Sequence, residues 1–234
     1  MKNITAMLGR FSLVFSFVLF APASFSACVD NVVLVHGNTG SPADWAATVD
    51  GLKGQGYTNS QIFTPIWGSS TCAACNNHSG AEETPVRNAI EAAITASCTG
   101  KIDVIGHSMG VTLAAQQIIK AGHVDKVDAF IGIAGAYRGL MSCGIWPAAV
   151  VTSTCGRDGL SVSSPFLDWL YGKRIASRVY SIKSWVDQVV CATGSCLIYG
   201  VHSSQIAGER ATYSYNYGHF GLQRYTVSRQ LSLL

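Results

Sequence analysis

Charge is scarce in this chain. Asp, Glu, Lys and Arg together make up 12% of its 234 residues, while 48% are hydrophobic. That balance excludes an intrinsically disordered protein and a nucleic-acid coat. The formal charge of +3 shrinks further when Lys2 and Arg10 are set aside, leaving 14 basic against 13 acidic side chains. No basic patch remains that would argue for phosphate contacts, so no nucleic-acid partner is expected. Proline is also sparse, and the sequence carries no internal repeat, linker or charge block. After the first 27 residues no apolar run approaches the ~20 residues of a membrane-spanning helix.

The N-terminal segment is different. Lys2 and Arg10 flank or precede an apolar and serine-containing run from Phe11 to Phe20. Small residues follow, with cleavage expected after Ala23, Ser26 or Ala27. Residues 1–27 therefore read as a signal peptide and 28–234 as one domain, secreted to the extracellular space. A membrane anchor is the alternative, for which the run is short. Lipidation of Cys28 is another, and Phe25 fits that pattern poorly.

Eight cysteines in an exported chain suggest disulfides. Cys28 and Cys98 each stand four residues before a predicted strand, so their thiols meet if those strands are parallel neighbours. Cys191 and Cys196 bracket one loop and Cys143 and Cys155 a longer one, leaving Cys72 and Cys75 to each other. Cys72 and Cys75 could instead form a zinc half-site or a redox pair. No second Cys/His pair at zinc spacing accompanies them, and no metal is expected.

Hydrophobic patterning alternates strands with helices. Val32–Val35, Gln61–Ile66, Ile102–Ile105, Val127–Ile133, Arg178–Ile182 and a stretch within Gln205–Tyr215 read as strands. Helices are expected over Pro42–Leu52, with Ser41 as N-cap, from Thr84-Pro85 onward, over Met109–Ala121 and over Gly221–Leu234. This is an α/β chain: a mostly parallel six-stranded sheet, in order 2-1-3-4-5-6, flanked by helices on both faces. Ligands of such sheets bind beyond the carboxyl ends of the strands. Leu140–Gly172 breaks the alternation and reads as core helix or as a loop over the site.

The chemistry-bearing residues fall on that edge. Gly106-His107-Ser108-Met109-Gly110 lies between a strand and a helix, the setting a strained nucleophilic serine requires. His36-Gly37-Asn38 ends the first strand. The backbone N–H groups of Asn38 and Met109 are assigned to an oxyanion hole, which leaves His36 structural or, in a competing reading, Asn38 a turn residue only. The chain order serine, acid, histidine selects Asp187, after the fifth strand, and His219, before the closing helix. Asp158 and Asp168 follow no strand. His202 is expected on the opposite edge, and His78 and His123 on the surface. Trp146, Phe166, Trp169, Leu170 and Tyr171 are candidates for an acyl pocket or interfacial surface.

With these motifs the chain resembles the small secreted bacterial lipases of the α/β-hydrolase superfamily. Ala134–Cys143 and Asp187–Ala192 also look like an extracellular poly(3-hydroxybutyrate) depolymerase, although this chain is much shorter. The resemblance implies Asp187 as the acid and the pairings Cys143–Cys155 and Cys191–Cys196. It implies a serine carboxylic ester hydrolase acting on acylglycerols, with a polyester depolymerase as the alternative. No cofactor is expected, a monomer is, and so is peripheral contact with a lipid or polymer surface.

Overall fold

Val32-Val33-Leu34-Val35 carries no polar side chain because both faces of its strand are covered. Strand β1 (Asn31–Val35) is buried throughout. Val33 and Val35 enter a hydrophobic cluster on one face of the sheet, and Val32 and Leu34 enter a second cluster on the other. This follows from the two-residue period of a strand. The computed structural model describes residues 28–234; the expected signal peptide lies outside the described residues.

The remaining strands of the sheet are β2 (Ile62–Phe63), β3 (Ile102–His107), β4 (Val127–Ile133), β5 (Arg178–Lys183) and β6 (Ala211–Ser214). Their order is 2-1-3-4-5-6, as the sequence pattern predicts. Every pairing is parallel, so the sheet is parallel throughout and not only mostly so. Parallel pairing places all six carboxyl ends on one edge.

Helices α2 (Glu83–Ala96) and α3 (Met109–Lys120) cover one face, where Val86, Ile90, Leu113 and Ile118 pack on Val33 and Val104. The other face takes α1 (Ala46–Gly54) and the C-terminal helices, with Trp45, Leu52 and Leu222 on Val32, Ile105 and Ile131. The helix expected from Pro42 starts as a 3-10 turn over Pro42–Trp45, where Asp44 accepts from the Ser41 N–H at 2.8 Å. The single closing helix expected over 221–234 is instead two, α5 (His219–Tyr225) and α6 (Val227–Leu231). Thr226 separates them, and its hydroxyl donates to the Leu222 carbonyl at 2.6 Å. Such back-bonding bends a helix.

The irregular stretch holds Leu140–Ile145 paired in parallel with Ser161–Val162, then α4 (Pro165–Leu170) capped by Ser164. Four disulfides join Cys28–Cys98, Cys72–Cys75, Cys143–Cys155 and Cys191–Cys196. The first occupies the thiol that lipidation of Cys28 would require. Among the described residues no helix is long and apolar enough to cross a membrane.

Candidate active site

Ser108 stands between β3 and α3 with φ 53° and ψ −128°. A non-glycine residue held there costs about 1–3 kcal/mol and persists only when its surroundings impose it. Here they do. The Ser108 N–H donates to the Ile133 carbonyl of β4 at 2.9 Å, and the Ser108 carbonyl accepts from Val111 of α3 at 3.1 Å. The flanking glycines permit the turn. A Cβ on Gly106 would lie 2.7 Å from Val111 Cα, and one on Gly110 only 2.2 Å from the His36 carbonyl oxygen.

Asp187 and His219 come from distant segments and meet at 2.9 and 3.0 Å, both almost fully buried. A carboxylate can only accept, so His219 Nδ1–H donates and Nε2 remains as the basic nitrogen. Burial pushes the Asp187 pKa up. The His219 hydrogen bond and charge, with the amides of Val190 and Val189, outweigh burial and hold it below the usual carboxylate value. Those two amides donate to Oδ1 at 2.9 Å. Cys191 N–H donates to the Asp187 carbonyl at 2.9 Å, so the Cys191–Cys196 disulfide borders this loop directly. Gln188 Oε1 accepts the His219 backbone N–H at 2.9 Å.

Ser108, His219, Asn38, Val189 and Phe220 line one cavity of about 170 Å³. The Asn38 side chain is committed elsewhere. It donates to the Ala73 carbonyl at 3.0 Å and accepts from Asn76 at 2.6 Å, beside the Cys72–Cys75 turn. Met109 opens α3, so its N–H is one of the first-turn amides that no helical carbonyl can receive.

The other histidines divide differently from expectation. His36 is fixed in the scaffold: its Nδ1 donates to the Gly37 carbonyl, Nε2 accepts from Trp67, and the two rings stack. Burial lowers its pKa. His107, which sequence reasoning passed over, lies under the Asp187–His219 pair. Its Nε2 donates to the His219 carbonyl at 3.2 Å and its ring centroid is 4.8 Å from that of His219. Burial first, then the charge of His219, lowers its pKa to about 3, so it adds no second charge beside His219. His78 is not a surface residue. It is buried, stacked on Phe166 and 2.7 Å from the Thr112 hydroxyl, and burial lowers its pKa to about 3. His202 is on the active edge, not the opposite one, because the chain after β5 returns through a short hairpin. Its Nε2 donates to the Ser184 carbonyl at 3.0 Å and its Nδ1 accepts from Ser204, so both nitrogens are engaged. His123 is partly exposed, 3.9 Å from Glu91.

None of the five expected pocket residues lines the Ser108 cavity. Phe166 and Leu170 face inward from α4 and are core. Trp169 is partly exposed and Tyr171 largely so, and Tyr171 and Trp146 border other clefts. The amphipathic turn of α4, invisible without its partners, decides that split. Asp158 and Asp168 are solvent-facing.

A six-stranded parallel sheet, a strained serine at a strand-to-helix turn and a buried Asp–His pair beside it define an α/β-hydrolase. The profile of the class 2 lipases matches residues 30–232, and the chain belongs to that family. It is a carboxylic ester hydrolase of the lipase and esterase type. Solved structures with the same fold include a metagenome-derived lipolytic enzyme, 20% identical, covering 86% of this chain and 91% of its own, with a TM-score of 0.57. A Bacillus licheniformis lipase in its mature form is 11% identical, covers 92% and 96%, and has a TM-score of 0.59. A monoacylglycerol lipase of Paleococcus ferrophilus is 15% identical, covers 87% and 94%, and has a TM-score of 0.53. None of the curated protein sequences compared matches the chain.

Proposed function

We propose that the protein is a secreted serine esterase that hydrolyses acylglycerols through an acyl-enzyme on Ser108. The observation that carries this reading is the buried Asp187–His219 pair opening onto the same cavity as Ser108. His219 Nε2 takes the hydroxyl proton as Ser108 attacks the ester carbonyl. The N–H groups of Asn38 and Met109 hold the resulting oxyanion. Collapse expels the alcohol, which receives the proton from His219. Water then attacks the acyl-enzyme with His219 as base, and the acid leaves with Ser108 restored. Asp187 orients His219 and stabilises its charged form. Every group in this sequence comes from the chain itself.

Four disulfides support export to an oxidising compartment. The cavity is small beside the roughly 300–1,000 Å³ of drug-sized pockets. A long acyl chain would therefore extend past Phe220, which is 57% exposed. This favours short-chain esters. Labelling by a fluorophosphonate probe tests the nucleophile: wild type should label and Ser108→Ala should not, with both folded. Equal labelling of the two would sink the assignment. Hydrolysis of p-nitrophenyl butyrate should exceed that of the palmitate, and a tributyrin emulsion should clear before a polyhydroxybutyrate film.

A further inference from the structure

A second cavity, of about 330 Å³, lies on the same sheet edge. Tyr137 and Arg138 reach it from the carboxyl end of β4, whose last residue, Ile133, also receives the Ser108 amide. From Ile133 to Tyr137 is four Cα steps, at most about 15 Å. The rest of the wall comes from α4 and from the hairpin after β5, where Leu167, Ile198 and Val201 make it apolar.

Its polar groups are unfinished. Tyr137 is 1% exposed, yet its hydroxyl has no hydrogen-bond partner among the described residues. An unmet buried donor costs about 1–3 kcal/mol, and folded proteins leave few of them. Burial raises the Tyr137 pKa, so the group keeps its proton to donate. Arg138 is anchored by its backbone N–H to Ser203 and by Nε to the Gln205 carbonyl at 3.0 Å, with the guanidinium 5.3 Å from the Tyr171 ring centroid. Its two terminal amino groups make no hydrogen bond among the described residues, which leaves a fixed, forked donor.

Backbone strain marks the same place. Five described non-glycine residues have positive φ. Thr39 and Ser108 line the catalytic cavity, while Ser163 and Tyr199, whose hydroxyls pair at 3.1 Å, line this one. Strain of this kind concentrates at ligand clamps.

We propose that this cavity binds a monocarboxylate with a short apolar body, at a site separate from that of Ser108. The Arg138 fork takes the carboxylate; the Tyr137 hydroxyl, which this structure keeps covered, donates to one of its oxygens once the wall shifts, and Leu167, Ile198 and Val201 cover the tail. Asp168 also borders the cavity. It opposes any anion, and a dianion such as phosphate more than a monoanion, so a single charge with an apolar body fits best. The carboxylic acid released by ester hydrolysis belongs to this chemical class, although binding does not depend on the enzyme's mechanism.

Calorimetric titration of the disulfide-intact protein with hexanoate, against 1-hexanol and hexylamine, tests the site. Hexanoate should bind saturably and neither analogue should. Arg138→Gln should weaken it by about tenfold or more, the scale of a charged hydrogen bond. Arg138→Lys should restore part of that, and Asp168→Asn should tighten binding a few-fold on the same electrostatic scale. Tyr137→Phe removes a single oxygen and serves if the arginine variants fail to fold; it should weaken binding several-fold. Ser108→Ala should bind as wild type does. No saturable binding, equal binding of hexanol, or wild-type affinity in both Tyr137→Phe and a folded arginine variant would each overturn the proposal.

Discussion

Gly110 shows how narrowly single residues set this site. A methyl group there meets two backbone oxygens of the β1 end, His36 at 2.2 Å and Val35 at 2.5 Å, which no side-chain rotation can relieve. Gly110→Ala should therefore destabilise the fold by about 3 kcal/mol or more, read by urea unfolding. Ser108→Ala changes nothing of that size. Its melting temperature should stay near wild type while kcat/KM falls by at least about 10⁴-fold. The motif residues were legible because their chemistry and their spacing are local. His78 and His202 were not. Their burial depends on Phe166 and on the Ser184 carbonyl, partners that only the folded chain brings to them. The same is true of His107, although its place inside the serine motif was a signal that it would be buried there.

At the scale of elements, β3 carries a conflict that its sequence does not advertise. Asp103 is 2% exposed in a strand buried on both faces. Burial raises its pKa to about 7, with the nearby charges of Asp30 and Asp128 adding to the rise against the Ala129 amide. A carboxyl that prefers its proton in the fold but ionises near its ordinary value when unfolded stabilises most at low pH. That contribution is lost as pH rises towards 7. Asp103→Asn keeps an acceptor for the Ala129 N–H, bonded now at 2.8 Å, and removes the loss. Melting temperatures should then favour the variant at pH 8 and converge with wild type near pH 4. Asp187 runs the other way: its depressed value contributes stability above the usual carboxylate range that disappears as pH falls through it. The strands were readable because a buried parallel strand has an unmistakable apolar run. The break at Thr226 and the pairing inside Leu140–Val162 were not, since each is decided by one hydroxyl or a few non-local hydrogen bonds.

For the whole molecule, the disulfides divide their work between stability and geometry. Cys28–Cys98 spans 70 residues and ties the start of β1 to the start of β3. By chain entropy its loss costs about 4 kcal/mol. The double alanine variant should unfold earlier in urea and keep its kcat under folding conditions. Cys191–Cys196 spans only five residues, so its loss should cost about 2 kcal/mol. It borders the Asp187 loop, and kcat should drop in the double variant even where the protein remains folded. The Cys28–Cys98 pairing was legible from the strand order alone. The short pairings followed from loops and resemblance, because no sheet brings those cysteines together.

The strand order also sets a timetable. As the chain emerges, β1 is available to β2 first, β3 then adds to the free edge of β1 and β4 to that of β3, and the serine turn is not imposed until Ile133 supplies its acceptor. Asp187 arrives later and His219 later still, with the α5 segment. A nascent chain therefore carries the proposed nucleophile, Ser108, long before it carries the proposed base, His219. On the proposed mechanism, latency follows from the direction of synthesis: an unfinished copy lacks the group that would activate Ser108. Probe labelling of stalled chains should switch on only once His219 is free to fold back.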